Sequence, residues 1–207
     1  LFIMSISMQN HGGYTEKYDN FDEKVRLLGL NYPDVNQYLS LVHESDSALE
    51  YLISYFQNVE DPVEIVFFGD HQPSLSSSFY PNLNGKGLSG LTEDELEDLY
   101  TIPFSLWTNY ESTEVELPVT SINYLSTLAL ERAGIELPAY NQFLADLMET
   151  IPAINSRGYY SKSAGGFLHI EEATGEEADW IRNYNILQYN NMFDKKEKSE
   201  VFFPYLE

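Results

Sequence analysis

Apolar residues along the chain recur at two spacings, which predict alternating helices and strands. Residues 36–57 place apolar side chains three or four positions apart, as one face of a helix requires. Residues 63–68 are β-branched and aromatic and stop at Gly69, which predicts a buried strand. The apolar stretch 1–8 is predicted to be another buried strand, because it is short and leads into a polar loop with two glycines. This order is typical of an α/β domain with a mostly parallel sheet.

The second half of the chain continues the alternation. Thr92 and Glu95 match a capping box that starts a short acidic helix, and residues 103–107 are predicted to form a strand. A further strand is predicted over 167–170. Helices are predicted over three more ranges: 121–133, 140–148 and 176–193.

Composition and charge exclude several classes of function. The 207 residues include 33 acidic and 11 basic side chains, a net charge of −22, which excludes nucleic acid as a partner. Cysteine is absent, so the chain contains no thiolate metal site and no cysteine nucleophile. No uninterrupted apolar run reaches about 18 residues, so no transmembrane segment is predicted. The chain opens without an initiator Met or a signal peptide, and we expect a piece of a longer protein with any membrane anchor upstream.

The residues that follow the 63–68 strand carry the strongest chemical signal. Asp70 offers a hard anionic oxygen and His71 a neutral imidazole nitrogen, a mixture suited to zinc or manganese and usable with magnesium. Adjacent residues of a strand point to opposite faces, so the chain must bend for both to reach one metal, and Gly69 permits a bend. The alternative is a turn in which Asp70 caps the local backbone and His71 packs as an ordinary polar residue.

These residues and their neighbours resemble a known family. The segment from Val66 to Pro73 resembles the second metal-binding segment of the lipoteichoic acid synthase and phosphoglycerol transferase family, within the alkaline-phosphatase/sulfatase superfamily. Similar stretches follow the family's order at 6–11, 45–53, 102–107, 122–128, 133–135, 138–140 and 187–190. The resemblance covers residue 1 to about residue 193. It implies the C-terminal half of a catalytic domain: a partial alkaline-phosphatase-like (sulfatase-like) sandwich, with a mostly parallel sheet flanked by helices.

The resemblance also implies roles for individual residues. Asp70 and His71 would be ligands of one divalent metal ion, Mn²⁺ or Mg²⁺ rather than Zn²⁺. His11 would bind the phosphate or glycerol part of the substrate. The family's nucleophilic Thr belongs to an earlier half of the domain, so no catalytic nucleophile is assigned within this chain. The stretch Gln72-Pro73-Ser74 departs from the family's pattern, and no role is carried over to Ser74.

The implied enzyme works at the extracellular face of a bacterial cell membrane. Its partners would be an anionic phospholipid headgroup and a glycerol-phosphate acceptor, and it would reach the membrane through helices absent from this chain. We place the catalytic half-domain at 1–158 and a C-terminal α+β extension, packed on the same domain, at 159–207.

Two other functions use the same features. A sulfatase or phosphodiesterase would share the half-site, because Gly-Asp-His does not distinguish sulfur from phosphorus. A non-catalytic acidic binding domain would keep only the fold.

Without the nucleophile we expect little or no turnover by the chain alone, and we expect self-association along an exposed sheet edge. His43 is interpreted as a solvated or core-edge residue and His169 as a packed one.

Overall fold

A computed structural model describes residues 1–16, 18–194 and 196–204 of the chain. The chain divides into two compact units, Leu1–Tyr110 (unit 1) and Glu111–Glu207 (unit 2). The domain boundary placed after residue 158 stays a prediction. None of the helices in the described ranges combines the length and the hydropathy that crossing a bilayer requires.

Unit 1 is organised around one long helix. Helix α1 spans Pro33–Phe56, with its proline in the first turn, where a missing N–H leaves no intrahelical bond unmade. It buries Val35 and Ser40, and the Ser40 hydroxyl accepts hydrogen bonds from the backbone amides of Lys24 and Val25. The helix predicted over 36–57 is confirmed.

Two short strands in unit 1 pair antiparallel. Strand β1 is Glu64–Phe68 and strand β2 is Phe104–Thr108, in a register that opposes Glu64 to Thr108 and Phe68 to Phe104. Short helices lie between them: α2 (Tyr80–Asn84), a 3-10 turn (Leu88–Gly90) and α3 (Glu93–Asp98). Both strands, and the capping box that starts α3, are confirmed.

The described residues do not form the mostly parallel sheet that was predicted. Both strand pairs in the described ranges are antiparallel. In unit 1 the ladder continues past the end of β1, where the Gly69 N–H donates to the carbonyl of Pro103 at 3.1 Å. The chain thus re-enters the sheet at the end where it left, as antiparallel pairing requires. The α/β class is confirmed, and the parallel arrangement is wrong for these residues.

The strand predicted over 1–8 is absent as well. All eight residues are exposed, with Leu1 at 116% and Phe2 at 87% relative exposure. A strand forms when a neighbouring strand satisfies its backbone hydrogen bonds, and no described strand pairs with this segment. The strand prediction for residues 1–8, which rested on apolar composition alone, is therefore wrong. Self-association of the chain stays a prediction.

Unit 2 packs helices around a β-hairpin. Its elements are a 3-10 turn (Ile122–Tyr124), α4 (Leu125–Arg132), α5 (Ala139–Thr150), β3 (Gly158–Ser161), β4 (Gly166–His169), a 3-10 turn (Ile170–Glu172) and α6 (Gly175–Phe193). The core joins Leu144 and Leu147 of α5 to Tyr159 of β3 and to Ile181 and Tyr184 of α6. The three helices and the strand near 167–170 are confirmed. Strand β3 was not predicted.

The hairpin depends on a close backbone approach. A Cβ atom added to Gly158 would lie 2.2 Å from the carbonyl oxygen of Leu168, closer than any real contact. Gly165, at the turn, has a φ of 72°, a conformation that side chains disfavour. Glycine is therefore needed at both ends of this small sheet, for close backbone packing at Gly158 and for the turn at Gly165.

Candidate metal centre

Asp70 and His71 leave the end of β1 and face each other. The Asp70 Oδ2 atom lies 3.6 Å from the His71 Nε2 atom, and the two side chains are 82% and 76% exposed. The other carboxylate oxygen, Oδ1, accepts a hydrogen bond of 2.9 Å from the His71 backbone N–H. Asp70 therefore caps the local backbone with one oxygen and turns the other toward the imidazole. Gly69 does not adopt a positive φ, so the bend needs no left-handed residue.

The tautomer of His71 follows from its second nitrogen. The Nδ1 atom lies 2.9 Å from the backbone carbonyl oxygen of Gln72. A carbonyl only accepts hydrogen bonds, so Nδ1 must carry the proton for this bond to form. The Nε2 lone pair is then unprotonated in the neutral ring and faces Asp70. A histidine that ligates a metal is commonly held in this way through its other nitrogen.

The pair fits a metal ion as two donors of a larger set. Two ligands at metal distances of about 2.1 Å stand roughly 3.4 Å apart in tetrahedral geometry and roughly 3.0 Å apart at neighbouring octahedral positions. The observed 3.6 Å would therefore shorten by about 0.6 Å around an octahedral Mn²⁺ or Mg²⁺ ion. Zinc and magnesium sites use at least about four ligands, and the described residues contain no group of three or more His, Cys, Asp or Glu side chains arranged for a metal. Asp70 and His71 supply two of the donors that such a site requires, and their role as metal ligands stays a prediction.

The second predicted loop is anchored to α1. His11 is exposed, and its backbone N–H donates to the carbonyl of Met8 at 3.2 Å, which closes a turn. The neighbouring Asn10 accepts a hydrogen bond from the Ser45 hydroxyl at 3.0 Å through its side-chain oxygen. Among the described contacts, no hydrogen bond or ion pair joins His11 to Asp70 or His71. Its role as a substrate ligand stays a prediction.

Tyr14 connects this loop electrostatically to the metal pair. Its hydroxyl donates to the Asn10 carbonyl at 2.7 Å, and its buried ring packs edge-on against Tyr38 at 5.4 Å. Burial raises the pKa of Tyr14 above its usual value, and Tyr38 and the negative charge of Asp70 raise it further. The convergence of the His11 loop and the Asp70 loop on one site stays a prediction. Tyr14 was not among the predicted site residues.

The segment after the metal pair is held by the start of α1. Buried Asp34 accepts a hydrogen bond from the Ser76 backbone N–H at 2.7 Å, and the Tyr32 hydroxyl donates to the Ser78 carbonyl at 2.9 Å. Burial favours a higher pKa for Asp34, but hydrogen bonds from Ser76 outweigh it, and the pKa is lowered. Sequence reasoning missed these contacts, because each joins residues more than 40 positions apart.

The other two histidines lie outside the half-site. His43 is exposed on α1, in agreement with a solvated position. His169 is exposed at the end of β4, and its backbone N–H donates to Glu172 at 2.8 Å. The interpretation of His169 as a packed residue is wrong, because β4 lies at the surface there and the residue caps a 3-10 turn instead.

The α/β fold and the match to a family model are those of an alkaline-phosphatase-like domain, in a superfamily of hydrolases and transferases. The sequence model of the Sulfatase family matches residues 1–135, well over half of the chain. The chain belongs to the sulfatase family. The resemblance seen in the sequence is thereby confirmed. This superfamily generally uses divalent metal ions.

A solved structure supports the fold. The chain is similar to the Streptococcus pyogenes phosphoglycerol transferase GacH, solved in complex with sn-glycerol-1-phosphate, with a TM-score of 0.61. The match covers 89% of this chain and 42% of that one, at 18% sequence identity. At this identity the similarity establishes the fold and carries no further statement about activity.

Two relatives come from Rhizobium meliloti (strain 1021). One has been ascribed a role in cyclic beta-1,2-glucan modification, and it is 25% identical over 217 residues, covering 98% of this chain. The other is the capsular polysaccharide biosynthesis protein RkpI, 38% identical over 76 residues that make up 37% of this chain. The chain spans 32% of the length of the first relative and 12% of the second in these matches.

Proposed function

We propose that this chain is part of a metal-dependent phosphoglycerol transferase, in which Asp70 and His71 are ligands of one divalent ion, Mn²⁺ or Mg²⁺. The observation that supports this most strongly is the paired geometry. The His71 Nε2 atom stands 3.6 Å from a carboxylate oxygen of Asp70, at a strand end of a sulfatase-family domain. A metal ion bound there would neutralise charge on phosphoryl oxygens and lower the pKa of a hydroxyl nucleophile.

The residues of the chain would prepare that site in specific ways. The Gln72 carbonyl holds the proton on Nδ1 of His71 and so keeps Nε2 available. The His71 backbone N–H occupies one oxygen of Asp70 and leaves the other for the ion. The loop held by Asn10 and Tyr14 would present His11 to the phosphate or glycerol part of the substrate.

The proposed donor is an anionic phospholipid such as phosphatidylglycerol. A Thr hydroxyl in the rest of a longer protein would attack the phosphorus, the bond from phosphorus to the diacylglycerol oxygen would break, and diacylglycerol would leave with a proton. An acceptor hydroxyl would then take the phosphoglycerol group from Thr. The same proposal locates the reaction at the extracellular face of a bacterial cell membrane, with any anchor in other segments.

The proposed acceptor is a hydroxyl group of a carbohydrate. The names of both Rhizobium relatives concern glycans, a glucan in one case and a capsular polysaccharide in the other. A glycerol-phosphate acceptor, which the family resemblance implies, offers the same hydroxyl chemistry. Acceptor competition between the two would decide which one the enzyme uses.

Substitution of the pair tests the proposal in the longer protein that contains this chain. Transfer of labelled glycerol phosphate from phosphatidylglycerol should fall in Asp70→Asn and in His71→Gln by more than the roughly 10- to 100-fold typical of outer-shell metal partners. Mn²⁺ affinity measured by calorimetry should fall with it. The control is His43→Gln, which removes an exposed histidine elsewhere in unit 1 and should leave both unchanged.

Two results would contradict the proposal. Unchanged Mn²⁺ affinity in both variants would remove Asp70 and His71 from the metal site. Release of sulfate from an aryl sulfate, with no release of glycerol phosphate from the lipid, would identify a sulfatase.

A further inference from the structure

Unit 2 contains a pocket lined by uncharged polar side chains. It encloses about 360 Å³, at the small end of the roughly 300–1,000 Å³ range of small-molecule sites. Its polar lining consists of Asn123, Asn155, Ser156, Tyr184, Asn185 and Gln188. None of the described residues that line it is charged, although the chain has a net charge of −22. A neutral, hydrogen-bonding ligand therefore suits it best.

Part of the lining is held in place before any ligand arrives. The Asn123 Nδ2 atom donates to the carbonyl of Ile154 at 3.1 Å. The Asn155 Oδ1 atom accepts from the backbone N–H groups of Arg157 and Gly158 at 2.8 and 3.0 Å. Fixed amide groups lose little conformational entropy on binding, which favours recognition of a weakly bound polar molecule.

Asn185 is the group most available to a ligand. It is exposed on α6, and its amide makes no hydrogen bond to any described residue. An amide provides two donors and one acceptor oxygen, which matches the mixed donor and acceptor character of a hydroxyl group. Phosphate or carboxylate ligands would instead call for an Arg or Lys side chain.

A second, more open groove continues from this pocket along α6. It encloses about 700 Å³ and shares Ile170 and Asn185 with the pocket. Its apolar lining includes Ala173, Ile186 and Tyr189, whose ring is 60% exposed. Two charged residues also line it: Asp194, and Arg182, which is paired with Asp179 at 3.1 Å. Sugar rings carry hydroxyl groups at their edges and apolar C–H groups on their faces. The amide pocket and the apolar groove present the two complementary kinds of surface side by side.

We propose that this pocket and groove bind a neutral oligosaccharide, with one sugar residue among the amides and the following residues along the apolar groove of α6. The site makes no use of Asp70 or His71, so it adds to the proposed function without depending on it. It assigns a carbohydrate-binding role to unit 2.

Binding can be measured on the 207-residue chain by NMR, with cellotetraose as the neutral probe. The side-chain NH₂ signals of Asn123, Asn155, Asn185 and Gln188 should shift together and saturate. Tetragalacturonate, a charged oligosaccharide of equal length, should bind more weakly, because the amide pocket offers no cation and Arg182 in the groove is already paired with Asp179. Dihexanoylphosphatidylglycerol serves as the lipid probe.

A matched pair of variants on α6 tests the contact. Asn185→Leu should weaken cellotetraose binding by roughly three- to tenfold, which is the change in affinity expected from the loss of one hydrogen bond. Asn183→Leu makes the same change at an exposed position of the same helix outside both cavities and should have no effect. Equal loss in both variants would overturn the proposal.

Two further outcomes would also overturn it. One is the absence of saturable shifts in the wild-type chain with cellotetraose, a result that needs no variant to fold. The other is displacement of the same signals by the lipid probe alone, which would identify the groove as a lipid site.

Discussion

At the scale of single residues, the two carboxylate oxygens of Asp70 make different contacts. Oδ1 accepts from the His71 backbone N–H at 2.9 Å, while Oδ2 lies 3.6 Å from Nε2 of the same residue. A metal pair and a backbone cap were alternatives on the sequence alone, and the geometry is compatible with both at once. Residue types alone do not reveal this, because it depends on the orientation of one carboxylate.

Ser40 offers a direct test of how unit 1 holds its N-terminal segment. The buried hydroxyl accepts from the amides of Lys24 and Val25 at 3.0 and 2.9 Å. Ser40→Ala leaves both amides without this partner and should lower the free energy of unfolding by about 2 kcal/mol, measured in urea. Ser47→Ala, at an exposed position on the same helix, should change it by less than about 0.5 kcal/mol. Similar effects in both would show that burial of the hydroxyl does not matter.

At the scale of elements, the helices were predictable and the strand pairing was not. Helix α1 repeats its apolar residues over 24 positions, which gives a strong local signal. Strand β3, Gly158–Ser161, is as short as β4 but lacks the apolar run that predicted β4. The direction of β2 is a matter of pairing between distant residues, and Gly69 and Pro103, 34 positions apart, leave no local pattern.

The loop that follows the metal pair should depend on Asp34. Asp34→Ala removes the acceptor of the Ser76 amide, so hydrogen exchange at that amide should accelerate by about tenfold. Asp46→Ala, on the exposed part of α1, should leave this rate unchanged.

Acidification should weaken the same Asp34–Ser76 contact that the Asp34→Ala substitution removes. The pKa of Asp34 is lowered in the folded chain, so its stabilising effect is present above about pH 4 and is lost as the pH falls further. A Ser76 exchange rate that does not respond to the substitution would contradict the anchoring role.

The hairpin of unit 2 should not tolerate a side chain at Gly158. The added Cβ would lie 2.2 Å from the Leu168 carbonyl oxygen, so Gly158→Ala must separate β3 from β4. We expect a loss of about 1–3 kcal/mol in thermal unfolding. Gly87→Ala meets no atom within 4 Å and serves as the control. Equal melting temperatures for the two variants would mean that the strands separate without cost.

At the scale of the whole molecule, three buried tyrosines make unit 2 sensitive to alkali. Burial raises the pKa of Tyr159 and of Tyr184 to about 12, and it raises the pKa of Tyr124 as well. Unfolded tyrosine ionises near pH 10, so the unfolded chain releases its protons first as the pH rises. The stabilisation is therefore complete below about pH 10 and is lost between pH 10 and 12.

Circular dichroism melts across this range, combined with tyrosinate absorbance, would measure the effect. Ionisation and unfolding should coincide for these residues. The variant Tyr159→Phe removes one ionising group, together with its hydrogen bond to Glu177 at 2.9 Å, and should show a shallower pH dependence. Full ionisation of every tyrosine by pH 10.5 in the folded chain would contradict the expectation.

The hydrogen bond between His71 Nδ1 and the Gln72 carbonyl has a consequence for protein engineering. Within residues 70–72 the Asp-His pair is shaped by backbone groups, but the Gln72 side chain also donates to the carbonyl of Thr101, next to β2. Transfer of this turn to the end of another strand would therefore need an antiparallel neighbour with a free carbonyl at the same level.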